Sequence, residues 1–115
     1  MKVSFEGIGE SVVTFFNSAT GSATAGAPVL ISANGEVSAC ADGDRFFGCA
    51  LACDTDIAAI QTAGYIELAY SGTNPAVGFV RLAANGSGGV KASEDGGEFL
   101  VVNVDTANKT LGLML

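Results

Sequence analysis

The chain repeats itself. Residues 28–51 read PVLISANGEVSACADGDRFFGCAL and residues 79–102 read FVRLAANGSGGVKASEDGGEFLVV. Ala33-Asn34-Gly35 falls on Ala84-Asn85-Gly86, Val37-Ser38-Ala39 on Val90-Lys91-Ala92, Asp42-Gly43 on Asp95-Gly96, and Phe46-Phe47 on Phe99-Leu100. The second copy carries two extra residues, Ser87 and Gly88, in its first turn. A period close to half the chain marks a two-fold internal duplication rather than the many short units of a solenoid. Each copy reads as a meander of three strands joined by an Asn-Gly turn and a polar Asp-Gly turn. Asn-Gly between apolar runs is a strong short-range hairpin signal, because both residues reach positive φ at low cost.

The flanking stretches also read as strands. Val3 and Phe5 alternate with Lys2, Ser4 and Glu6, and Ser11–Phe16 is β-branched and aromatic. Asn17–Ala27 (NSATGSATAGA) is small and polar, a loop in preference to an arm that orders only against a partner. Ile57–Thr62 is too brief and too poorly bounded for a helix and is read as a strand ending at Ala63-Gly64. Tyr65–Tyr70 places Ile66, Leu68 and Tyr70 on one face and Tyr65, Glu67 and Ala69 on the other. In the third strand of the first copy, Phe47, Cys49, Leu51 and Cys53 share a face opposite Phe46, Gly48, Ala50 and Ala52. Both faces are apolar or small, so that strand is expected to be covered on both sides. Glu98–Val104 and Thr110–Leu115 complete the strands. An apolar terminal strand needs a partner, either an early strand that closes a barrel or a neighbouring subunit. Short strands with glycine-rich turns, at a spacing of roughly 8–12 residues, define an all-β chain. The expected fold is a small β-barrel or sandwich built from the duplicated meander, with little or no helix. Residues 1–17 form an N-terminal strand or binding arm, and 18–115 a single barrel-like domain.

Apolar residues make up 49% of the 115 and charged residues 15%, against about 25% charged in an ordinary domain. A domain this small cannot enclose so much apolar surface, which points to a subunit interface and an oligomer. No apolar run approaches the ~18 residues needed to span a bilayer. The net charge is −7, and the basic residues Lys2, Arg45, Arg81, Lys91 and Lys109 are dispersed. Such a surface repels phosphate backbones and anionic lipids, so neither nucleic acid nor membrane is an expected partner. The opening MKVSFEGIGE lacks the apolar core of a secretory signal. Cys40, Cys49 and Cys53 are read as free, partly buried thiols of a reducing compartment.

Histidine is absent, which removes the commonest general base and most transition-metal sites. Cys49 and Cys53 have no further cysteine or histidine positioned to complete a tetrahedral metal site. The carboxylate pairs Asp42/Asp44, Asp54/Asp56 and Glu94/Asp95 all fall in expected turns, where Asp side chains bond the local backbone. Gly7-Ile8-Gly9 lacks the third glycine and the helix of a dinucleotide fingerprint. The expectation is a protein without catalytic residues, cofactor or metal.

The order of elements over residues 24–115 resembles a known family. Gly26-Ala27-Pro28-Val29 opens a strand before an Asn-Gly hairpin, and Phe47-Gly48-Cys49-Ala50-Leu51 forms the next strand. Ile60-Gln61, Gly64 and a second repeat ending in an apolar strand follow. This sequence is similar to the small all-β capsid decoration, or head cement, proteins of bacteriophages and prophages. The resemblance implies a virion structural protein made in the bacterial host cytoplasm and added to the outside of an assembled capsid. It would bind between major capsid protein subunits, often as a homotrimer. The candidate contact residues are Val3, Phe5, Val12, Phe15, Phe16, Leu113 and Leu115. The alternative is a tail or virion-surface β-module that binds carbohydrate or another virion protein. The lack of tryptophan counts against carbohydrate.

Overall fold

The structure, a computed structural model, describes residues 10–115. The expected strand at Val3 and Phe5, and the contact role given to those residues, lie outside the described residues. Among the described residues the chain is all-β, with ten strands. They are β1 (Ser11–Asn17), β2 (Pro28–Ala33), β3 (Glu36–Ala39), β4 (Gly48–Cys53), β5 (Ile57–Ala63), β6 (Tyr65–Ala69), β7 (Gly78–Ala84), β8 (Val90–Ala92), β9 (Gly97–Asp105) and β10 (Thr110–Met114).

The strands form two units. β1-β3-β2-β4-β5 closes into a barrel, and β6-β10-β9-β7-β8 forms a five-stranded sheet. The two repeat each other well beyond the meander. The pairing of Phe15 with Ala58 recurs as Leu68 with Leu111. Ala50 with Ile60 recurs as Val101 with Leu113, and Pro28 with Cys49 as Phe79 with Leu100. The β4–β5 and β9–β10 ladders each slip once at the same place, leaving Leu51 and Val102 as the extra residues of matching β-bulges. The parallel pairing of Asn17 with Val37 that closes the barrel returns as one parallel bridge, Tyr70 to Val90. The second sheet is therefore the same barrel held shut by a single bridge.

β1 pairs with β5 along its length and touches β3 at its end, so Ser11–Asn17 is a strand of the first barrel and no structural boundary falls at residue 17. The Asn17–Ala27 loop is tied to the barrel by its own backbone. Ser18 N–H donates to Val37 O, Gly26 N–H to Ala50 O, and Ala39 N–H to Gly21 O. Two expectations are corrected. The terminal strand pairs with β6 and β9, neither an early strand nor another subunit. The simple alternation expected across β4 is broken by the bulge at Leu51: Gly48, Cys49 and Ala50 are buried in succession, and Leu51 and Ala52 face solvent. Only the first half of that strand is covered on both sides.

The units have separate cores of unlike size. The first is narrow, filled by Ala23, Val29, Val37, Ala50, Ala58 and Ile60, with Phe15, Phe47 and Cys53 at its margin. The second takes larger side chains, among them Ile66, Leu68, Tyr70, Leu82, Leu111 and Leu113. Full burial of an aliphatic side chain of this size is worth about 1.5–3 kcal/mol. Phe46 and Cys49 belong to the second core although they come from the first unit. Gly64 alone separates β5 from β6, and the loop between β3 and β4 makes the second tie. There Ala84 exchanges backbone hydrogen bonds with that loop, accepting from Gly43 at 2.8 Å and donating to Asp44 at 2.8 Å. Phe46 stacks on Phe99 with ring centroids 4.7 Å apart, and Lys91 pairs with Asp42 at 2.7 Å.

Candidate functional site

The polar groups are spent on local structure. Asp44 accepts from the backbone N–H of Ala41 at 2.9 Å, and Asp54 from that of Thr55 at 2.6 Å. Asp42 holds Lys91, and Asp105 accepts from the backbone N–H groups of Ala107 and Asn108 and from the Asn108 side chain. These bonds from Asn108 hold the Asp105 carboxyl below its ordinary range. Asp54 and Asp105 are exposed and Asp44 is half-buried, and each of the three bonds the backbone of its own turn. Among the described residues no group of three or more His, Cys, Asp or Glu is placed to hold a metal ion.

The three cysteines are free thiols. Burial, with Asp44 adding to it, raises Cys40 to about 11, and burial beside Cys53 raises Cys49 to about 11. Burial also raises Cys53. Raised thiols are poor nucleophiles at neutral pH, so none is poised for covalent chemistry.

Clefts lie where the units meet. One of about 380 Å³ runs between the Thr24–Pro28 segment and the glycine-rich turn Gly86–Gly89. A second, of about 360 Å³, is lined by Cys49, Leu51 and Gln61 from the first unit and Tyr65, Ile66 and Glu67 from the second. The Gln61 amide, itself buried, donates to the carbonyls of Ala63 and Tyr65 at 3.0 Å each. It fixes the junction at Gly64.

Several large apolar side chains are left uncovered. Phe16, Ile57, Val12, Val13, Ile31 and Leu51 are exposed on the first unit, and Val77, Phe79 and Leu100 on the second. On the first barrel, Glu36, Phe16 and Ile57 stand in one row across β3, β1 and β5. On the second sheet, Phe79, Leu100 and Met114 stand in one row across β7, β9 and β10. Arg81 and Glu98 face each other one row along. Cross-strand partners in register share a face, so each row is continuous.

The expected contact residues divide accordingly. Val12 and Phe16 are exposed. Phe15 turns inward against Phe47, edge to face at 5.6 Å, and packs on the first core. Leu113 is enclosed in the second core and presents nothing to a partner, a correction that follows from its position on the inner face of β10. Leu115 is half-buried against the same core, its N–H donating to Gly64 O. Sequence reasoning passed over Val77, Phe79 and Leu100. The signal lay in Arg81: a charged residue two positions from Phe79 marks the solvent face of β7, and Phe79 shares it.

No protein-family model matches this sequence, and no curated protein is significantly similar to it.

Proposed function

We propose that this chain is a non-enzymatic structural protein of a bacteriophage virion. It decorates and stabilises the outer surface of the capsid by binding between major capsid protein subunits. The observation that carries this reading is the pair of uncovered apolar rows, one on each unit of a stiff β scaffold. A protein that bridges neighbouring subunits needs two separate contact surfaces on one body. Each surface is small, and avidity across a symmetric lattice converts contacts of that size into firm attachment. The acidic surface suits a position outside the shell, away from packaged nucleic acid. The order of strands and turns described above agrees with the same reading.

Co-sedimentation with empty, expanded heads tests it. Saturable binding at a fixed ratio to the major capsid protein is the expected result. Binding to isolated tails and not to heads would replace it with a tail module. Failure to bind either would overturn a virion role.

A further inference from the structure

We infer that copies of this protein associate head to tail, the Phe79–Leu100 face of one copy covering the open end of the first barrel of the next. The inference takes up the oligomer that the apolar composition leads one to expect and does not depend on a capsid.

The two units answer each other position by position. Matching ladders make Val13 the counterpart of Ile66, since Val13 pairs with Ile60 and Ile66 with Leu113. Ile31 is the counterpart of Ala84 in the hairpin ladders, since Ile31 pairs with Val37 and Ala84 with the matching Val90. In the second unit this end is closed: Ile66, 5% exposed, clusters with Phe46 and Cys49 of the first unit, and Ala84, 1% exposed, is bonded to the backbone of Gly43 and Asp44. In the first unit the same end is open, with Val13 42% and Ile31 52% exposed.

The converse holds on the other face. Cys49 of the first unit packs in the second core, and Pro28, its cross-strand partner, is buried beside the cleft between the units. Their counterparts Phe79 and Leu100 are bare, Phe79 at 73%. Each unit is thus apolar and uncovered where its sister is covered by the neighbouring unit. A second copy placed as the second unit is placed on the first satisfies both surfaces at once.

The second unit joins Ala92 to Gly97 by a shorter connection than the loop that carries Phe46. The contact between copies therefore lacks the Phe46 stack and is weaker than the one within the chain.

The test uses two variants, Ile31→Glu and Phe79→Glu, with molar mass read by light scattering over a concentration series. The parent is expected to assemble and each variant alone to stay monomeric. An equimolar mixture is expected to form a dimer of one copy of each, because every copy retains one intact surface. In the parent, a single saturating mass means that the head-to-tail turn closes into a ring; a mass that climbs with concentration means an open chain, and either supports two unlike faces. A mixture that stays monomeric overturns the inference, as does a parent monomeric at millimolar concentration. Loss of assembly in Phe79→Glu with Ile31→Glu unaffected would mean a symmetric contact and also overturns it. Circular dichroism checks folding, and Val12→Glu, at an exposed position on the same end, replaces Ile31→Glu if that variant unfolds. Binding of the monomeric variants to heads separates this outcome from that of the decorating role.

Discussion

A side chain laid across a backbone constrains both residues. A Cβ at Gly112 would overlap the Tyr65 ring and hydroxyl, so the ring lies flat over β10 because residue 112 has no side chain. The Tyr65 hydroxyl there accepts from the Asn103 amide at 3.1 Å and donates to Glu67 at 3.2 Å. Gly112→Ala is expected to cost about 2 kcal/mol through overpacking, read as a lowered urea midpoint. Tyr65→Phe, which keeps the ring and loses the hydroxyl, is expected to cost about 1 kcal/mol. The thiols make a prediction in pH. Cys40 and Cys49 hold their protons to about 11 in the folded chain, against 9.0 ordinarily. Unfolding in that window releases protons, so their contribution is complete below pH 9 and declines as pH rises towards 11. Denaturation midpoints measured across that range are expected to fall, and less so in a Cys40→Ala, Cys49→Ala double variant. Thiol-reagent kinetics at neutral pH are expected to be slower for both than for an unfolded control.

At the scale of elements, the loop between β3 and β4 does the most to join the units. It combines a buried aromatic stack, a backbone pair and an exposed ion pair, and magnitudes rank them. Phe46→Ala is expected to cost about 3 kcal/mol, the range for a buried aromatic. Lys91→Ala is expected to cost less than about 1 kcal/mol, since the pair with Asp42 faces solvent. Chemical denaturation of the two variants side by side checks the ranking. The same loop explains how much of the fold was legible. Turn chemistry and apolar alternation were enough to locate the strands from Ser11 onwards, including Ile57–Ala63, where a short helix competed. The repeat was legible in the hairpins, but its third strand was matched two residues out of register. Sequence similarity set Phe46-Phe47 on Phe99-Leu100, whereas the ladders set Gly48-Cys49 there. The longer loop absorbs the difference. The kinship of β1 with β6 and of β5 with β10 left no trace in residue identity, because an inner face accepts any apolar side chain of suitable volume. It is written in register and in the matching bulges. Of the candidate contact residues, the apolar run through Val12-Val13 and Phe15-Phe16 did not separate exposed Val12 and Phe16 from inward-turned Phe15, and nothing in residues 110–115 showed that Leu113 lies on the inner face of a strand in the middle of a sheet.

At the scale of the molecule, two barrels of one topology form a body of 40 × 28 × 22 Å. The apolar excess that composition set aside for an interface sits on each unit where the counterpart position of the other unit is buried, and this sets the salt response. Contacts built on apolar rows with few charges are expected to persist, or strengthen, in sulfate, and to weaken little in sodium chloride. Sedimentation in the two salts checks this.

Gly64 is the whole covalent joint between the units, and it has a thermodynamic consequence. A free single unit would meet its sister at a rate and to an extent set by its dilution in the cell. With one residue between them, each unit meets the other at a fixed and very high effective concentration. Duplication within one chain thereby turns a contact governed by dilution into a permanent one, present from the moment the chain has folded.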